Sequence, residues 1–226
     1  MPEATTADLL TLLADMEAMH AWRGWHWWPD ADPFEVCVGC ILVQNTLWSN
    51  VERAMDRLRA ANALTPRAMA ALSEEALAEL IRPSGQFRQK AKKLRRFLDL
   101  ADAHGGFAAL MALPTLELRA TLLATWGIGP ETADAITLYA AHKPSFVIDA
   151  YTMRILTRLG IGPAGTDYRA WQRWFVDRMP ADRDVYARFH SLIVLHAKHL
   201  CRKLRPGCGE CTLVARCPYG QQQVRP

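Results

Sequence analysis

Apolar side chains recur along this chain at three- and four-residue intervals for nearly its whole length, with no convincing alternation with polar ones. That spacing predicts helices, each with one buried face. Gly, Pro, Ser and Asp punctuate the pattern every roughly 10 to 20 residues. The first helix is expected over Thr5–Trp22, with Leu9, Leu10, Leu12, Leu13 and Met16 as its apolar stripe. A tryptophan-rich link follows, then helices at Phe34–Val43 and Ser49–Ala60. Shorter ones at Thr65–Ala71 and Ser73–Ile81 begin on residues suited to capping. Gln86–His104 is strongly basic and ends at Gly105-Gly106. Leu116–Thr125 and Glu131–Ala141 flank a glycine turn, and further helices fall at Ala150–Leu159, Tyr168–Arg178 and Arg183–Leu200. Residues 219–226 read as a frayed tail. The expected class is all-α, about a dozen helices without a fixed-period repeat.

Composition narrows the classes. The 226 residues are 50% hydrophobic and 22% charged, which suits a buried core and excludes a disordered chain. A net charge of +4 and a pI near 8.8 permit a nucleic-acid partner without demanding one. MPEATTADLL shows no signal peptide, and no apolar run reaches the roughly 18 residues of a membrane helix. The expectation is a soluble cytoplasmic protein with no membrane partner. In that reducing setting the six cysteines point to metal or core roles over disulfides.

Three stretches carry candidate chemistry. Trp126-Gly127-Ile128-Gly129-Pro130 breaks a helix, and Pro130 suits the first position of the next one. Two glycines allow a sharp turn and close backbone approach, with N–H groups available to a phosphate oxygen. Taken alone, the same residues read first as an ordinary helix turn. Cys201, Cys208, Cys211 and Cys217 follow the spacing C-x6-C-x2-C-x5-C, with Pro206, Gly207 and Gly209 among them. Four such thiolates suit a zinc site, although paired C-x2-C units are its usual form, or a cubane iron–sulfur cluster. His196 and His199 then read as core or surface residues, and Cys37 and Cys40 as helical core. Finally, Trp22, Trp25, Trp27 and Trp28 crowd seven residues before Pro29, supplying flat faces on which an extruded base can stack. Packing of the first helix is the plainer account of them.

The hairpin Gly127-Ile128-Gly129, the Val147-Ile148-Asp149 segment beyond it and the terminal cysteines together resemble the helix-hairpin-helix DNA glycosylase superfamily, on its endonuclease III branch. The resemblance implies a two-domain endonuclease III-like fold with a cleft. Residues 33–145 would form a six-helix barrel-like domain carrying the hairpin, and residues 1–32 plus 146–226 a discontinuous helical domain carrying a 4Fe-4S cluster on Cys201, Cys208, Cys211 and Cys217. It further implies that Gly127 and Gly129 grip the DNA backbone, that Asp149 is the catalytic carboxylate, that Gln44 intercalates, and that Gln86, or Phe87 beside it, is the wedge. Basic residues around the cluster, Lys203 among them, would face DNA. From position alone Asp149 reads as a helix N-cap, a role compatible with catalysis.

Endonuclease III has a lysine two residues after the second glycine, and here Glu131 stands there. A carboxylate cannot form an imine, so the expectation is a monofunctional enzyme using water as nucleophile. An acidic residue is also simply favoured in a helix's first turn. His26-Trp27-Trp28-Pro29, Gln44-Asn45-Thr46 with Trp48, and Gly127-Ile128-Gly129-Pro130-Glu131 are similar to the 3-methyladenine DNA glycosylase III subgroup, which implies that Trp27, Trp28, Pro29 and Trp48 enclose an alkylated base. The implied function is excision of alkylated purines such as 3-methyladenine from double-stranded DNA, by a nucleoid-associated monomer. A glycosylase for oxidised pyrimidines and a non-catalytic damage-binding protein are the alternatives.

Overall fold

The computed structural model describes residues 4–20 and 31–225, and all of their regular structure is helical. In order the α-helices are α1 (Thr6–Met19), α2 (Pro33–Leu42), α3 (Trp48–Ala60), α4 (Pro66–Ala71), α5 (Glu74–Leu80), α6 (Phe87–Ala103) and α7 (Phe107–Ala112). Then come α8 (Thr115–Leu123), α9 (Pro130–Ala135), α10 (Ala150–Arg158), α11 (Tyr168–Val176), α12 (Arg183–His199) and α13 (Pro218–Val224). The chain divides into two compact units, Asp30–Lys143 and a discontinuous one of Met1–Pro29 with Pro144–Pro226. Among the described residues no helix is long and apolar enough to cross a membrane.

The continuous unit is built round α2. Its residues Phe34 and Val36–Leu42 are all buried, because the stretch is apolar on every face. Asp32 caps the helix by accepting from the Phe34 N–H at 2.8 Å, with Pro33 in its first turn. Helix α6 shows the contrasting amphipathic pattern, burying Ala91, Leu94, Phe97, Leu98 and Ala101 and leaving most of its charges on the other side. After α9 the helix widens into a π turn over Ile136–Ala140, all of it buried.

In the discontinuous unit, Phe146 stacks on Phe175 of α11 with ring centroids 3.4 Å apart, and Tyr186 and Phe189 of α12 meet it edge-on. Helix α1 opens with a reciprocal cap between Thr5 and Asp8 and buries Leu9, Leu12, Leu13 and Met16.

Two expectations need correction. Residues 218–224 form α13, ordered because the Cys217 sulfur caps it and Tyr219 packs under the Arg158 guanidinium at 4.2 Å. The expected helix Glu131–Ala141 is α-helical only to Ala135 and then π. Helix α7 follows Gly106 in a stretch where no helix was anticipated; six residues are too few to show a period.

Candidate active site and cysteine loop

Asp149 ends the extended link Phe146-Val147-Ile148 and caps α10. Its Oδ1 accepts from the Thr152 N–H at 2.7 Å and from the Thr152 hydroxyl at 2.8 Å. Its Oδ2 lies 3.6 Å from His190 Nε2 of α12, an electrostatic contact slightly longer than a hydrogen bond. Only 9% of Asp149 is exposed. Burial by itself would raise its pKa, but His190 and the two Thr152 donors outweigh it and hold the carboxyl below its ordinary value. The site thus keeps an anion in a largely dehydrated setting, where it acts more strongly on nearby charge than it would in water.

The hairpin belongs to the other unit. Helices α8 and α9 are pinned together by Arg119, whose Nε and Nη2 bind the fully buried Asp134 carboxylate at 2.6 and 3.0 Å. Between them Gly127 adopts φ +88°, and a Cβ placed there would sit 2.4 Å from Lys93 Cγ. Gly129 has an extended backbone, and a Cβ there would meet no heavy atom within 4 Å. The first glycine is required by the turn, whereas the second faces open space. Glu131 is exposed in the first turn of α9.

Gln44 is half-buried against this hairpin: its Nε2 donates to the Gly127 carbonyl at 3.1 Å and to Thr132 Oγ1 at 3.0 Å. Lys93 Nζ in turn donates to Gln44 Oε1 at 2.5 Å. One turn earlier on α6, Lys90 is buried, its Nζ bound to the carbonyls of Leu42 and Ser84 at 2.7 and 2.6 Å. Burial, with the Lys93 charge beside it, pulls the Lys90 ammonium down to about 8. Gln86 is exposed with φ +47°, and Phe87, the first residue of α6, is half-buried beneath Arg82 and Arg88. Trp48 starts α3 and is half-buried, whereas neighbouring Leu47 is 73% exposed. Trp27, Trp28 and Pro29 lie outside the described residues. Cys37 and Cys40 are core residues whose thiols burial drives upward, Cys40 to about 12.

The four terminal cysteines line one partly open cavity, with walls from Ile155, Leu200, Leu213 and Val214. Arg158 Nη1 donates to Cys201 Sγ at 3.2 Å, and the Gly220 N–H to Cys217 Sγ at 3.2 Å. Burial first, and the neighbouring thiols after it, raises Cys208 and Cys211. Among the described residues no group of three or more His, Cys, Asp and Glu side chains is arranged to hold a metal ion. Lys203 is exposed in the loop after Cys201, and Arg158 holds its carbonyl at 3.2 Å.

Sequence reasoning overlooked Arg154 and Arg158, which reach from α10 to the Cys201 carbonyl at 3.0 and 3.4 Å. Two arginines one turn apart on a predicted helix were the available signal. Nothing in the spacing marked His190 or Arg119, because their partners lie in other elements.

A helical fold with a glycine hairpin and a capped, ionised aspartate defines a class of base-excision enzyme. Residues 38–174 match the HhH-GPD superfamily of base excision DNA repair proteins, and the chain belongs to that family as a DNA N-glycosylase. It is 41% identical over 195 residues to a Methanocaldococcus jannaschii protein provisionally assigned as a DNA repair glycosylase, spanning 85% of this chain and 88% of that one. It is also 28% identical over 211 residues to endonuclease III of Thermotoga maritima, covering 87% and 89%. In structure it resembles endonuclease III in a non-covalent DNA complex, with a TM-score of 0.83 at 22% identity over 99% and 100% of the two chains. It also resembles the H. pylori 3-methyladenine DNA glycosylase MagIII bound to 1,N6-ethenoadenine, with a TM-score of 0.72 at 28% identity over 86% and 98%.

Proposed function

We propose that this protein is a monofunctional glycosylase removing alkylated purines, 3-methyladenine foremost, from double-stranded DNA. The observation that carries the reading is Asp149, held ionised by Thr152 and His190 in a chain with Glu131 where a lyase needs an amine. Cleavage of an N-glycosidic bond develops positive charge on the sugar; the Asp149 carboxylate stabilises it and orients the attacking water. Gly129, with open space before it, admits the DNA backbone. The resemblance to the 3-methyladenine DNA glycosylase III subgroup gives Gln86 and Phe87 to the distorted duplex and Trp27, Trp28, Pro29 and Trp48 to stacking on the extruded base. Likeness to MagIII supports the substrate class.

The cysteine loop fits a 4Fe-4S cluster: four thiols on one mostly apolar cavity, with N–H donors already directed at two sulfurs. Cys201, Cys208, Cys211 and Cys217 would hold it. When bound, the group supplies a rigid cross-link that shapes the loop bearing Lys203.

Excision from duplexes carrying 3-methyladenine, 1,N6-ethenoadenine or thymine glycol tests the reading. Release of the alkylated bases is expected; preference for thymine glycol would move the protein to the oxidised-pyrimidine alternative. Borohydride should trap no covalent complex, and a trapped one would overturn the role given to Glu131.

A further inference from the structure

Helix α6 carries the most basic stretch of the chain, and its lysines invite the reading that they meet phosphate. Two of them turn the other way. Lys90 spends its ammonium on the Leu42 and Ser84 carbonyls, the end of α2 and the turn before Gln86. Lys93 is bound to Gln44 Oε1, and this fixes which way the Gln44 amide faces. With its oxygen on the ammonium, its nitrogen is aimed at the Gly127 carbonyl and Thr132 Oγ1. The aliphatic stem of Lys93 is also the floor of the hairpin, since a Cβ at Gly127 would lie 2.4 Å from its Cγ.

We propose that Lys93 is a positioning residue, which presets the Gln44 segment and the hairpin as one rigid surface for the DNA backbone rather than contacting phosphate itself. The proposal rests on the glycosylase reading above and adds a residue that motif comparison does not supply. Head and stem have separable duties: the ammonium orients Gln44, and the methylenes support the turn. Without the ammonium, the Gln44 amide loses its orientation, and ordering of the hairpin must then come out of the binding free energy.

Lys93→Met keeps the stem and removes the charge; Gln44→Leu removes the amide from the opposite side. Both are compared with the wild-type protein for binding to a duplex carrying a tetrahydrofuran abasic analogue, over a range of salt, and for amide hydrogen exchange at residues 126–132. Either variant should weaken binding about tenfold, speed exchange in the hairpin and leave the global unfolding midpoint close to wild type. The double variant should bind no more weakly than either single one, because the two side chains act through each other. The slope of log affinity against log salt should stay unchanged in Lys93→Met. A slope shallower by about one contact would identify Lys93 as a phosphate ligand and overturn the proposal. So would additive losses, or hairpin exchange that neither variant alters. Failure of the wild-type protein to bind the duplex at all would remove the glycosylase reading and this inference with it, whereas binding with the wrong variant pattern would remove only the inference.

Discussion

At the scale of single residues, the cap on α10 and the proposed catalytic role fall on the same side chain, Asp149. Asparagine accepts the same Thr152 donors, so Asp149→Asn should fold and yet lose excision by several orders of magnitude in single-turnover assays. The carboxylate's folded pKa lies below the ordinary value of about 3.9. It therefore adds stability that is complete above that value and is lost as pH falls through the lowered one. The gap in urea midpoint between wild type and Asp149→Asn should accordingly close as pH falls below the ordinary carboxylate value; a gap that widens with acid would contradict the assigned environment. The hairpin glycines make a second pair of tests. Gly127→Ala must adopt φ +88° against Lys93 and should cost roughly 1–2 kcal/mol in denaturant melts. Gly129→Ala meets no atom of the protein, so it should leave stability nearly untouched and weaken DNA binding. Unaltered binding by Gly129→Ala would remove that glycine from the DNA surface.

At the scale of elements, the helix-hairpin-helix is held by one buried ion pair as well as by packing. Asp134→Ala takes the carboxylate away from Arg119 and should destabilise the protein by about 3 kcal/mol, whereas Arg119→Met with Asp134→Leu should recover most of that loss in the same equilibrium measurement. Sequence periodicity was sufficient for helices as long as α6 and α12, because each presents several turns of one apolar face. It failed for α7 and α13. Six or seven residues do not span two turns, and what orders α13 is a cysteine cap and a distant arginine. The π turn after α9 was equally illegible, since all five of its residues are buried and no face stands out. At the site, motif spacing located Asp149, the glycines and the cysteines, which are local in the chain. It missed His190, Arg158 and the contact of Lys93 with Gln44, whose partners stand 41, 43 and 49 positions away.

For the whole molecule, the cysteine loop makes the simplest claim to check. The purified protein should be brown, with absorption near about 400 nm and about four irons per chain. Cys208→Ala should lose most of that absorbance and iron, and a colourless zinc-loaded protein would replace the cluster with another centre. The discontinuous unit has a consequence for biosynthesis. Every residue of Asp30–Lys143 leaves the ribosome before most of the segment that α1 packs with has been translated. The hairpin half can acquire its shape on the nascent chain, while α1 waits for α12 to arrive. Maturation of the thiol-lined end then comes last, and a truncated translation product would carry a finished hairpin half with no completed carboxylate half behind it.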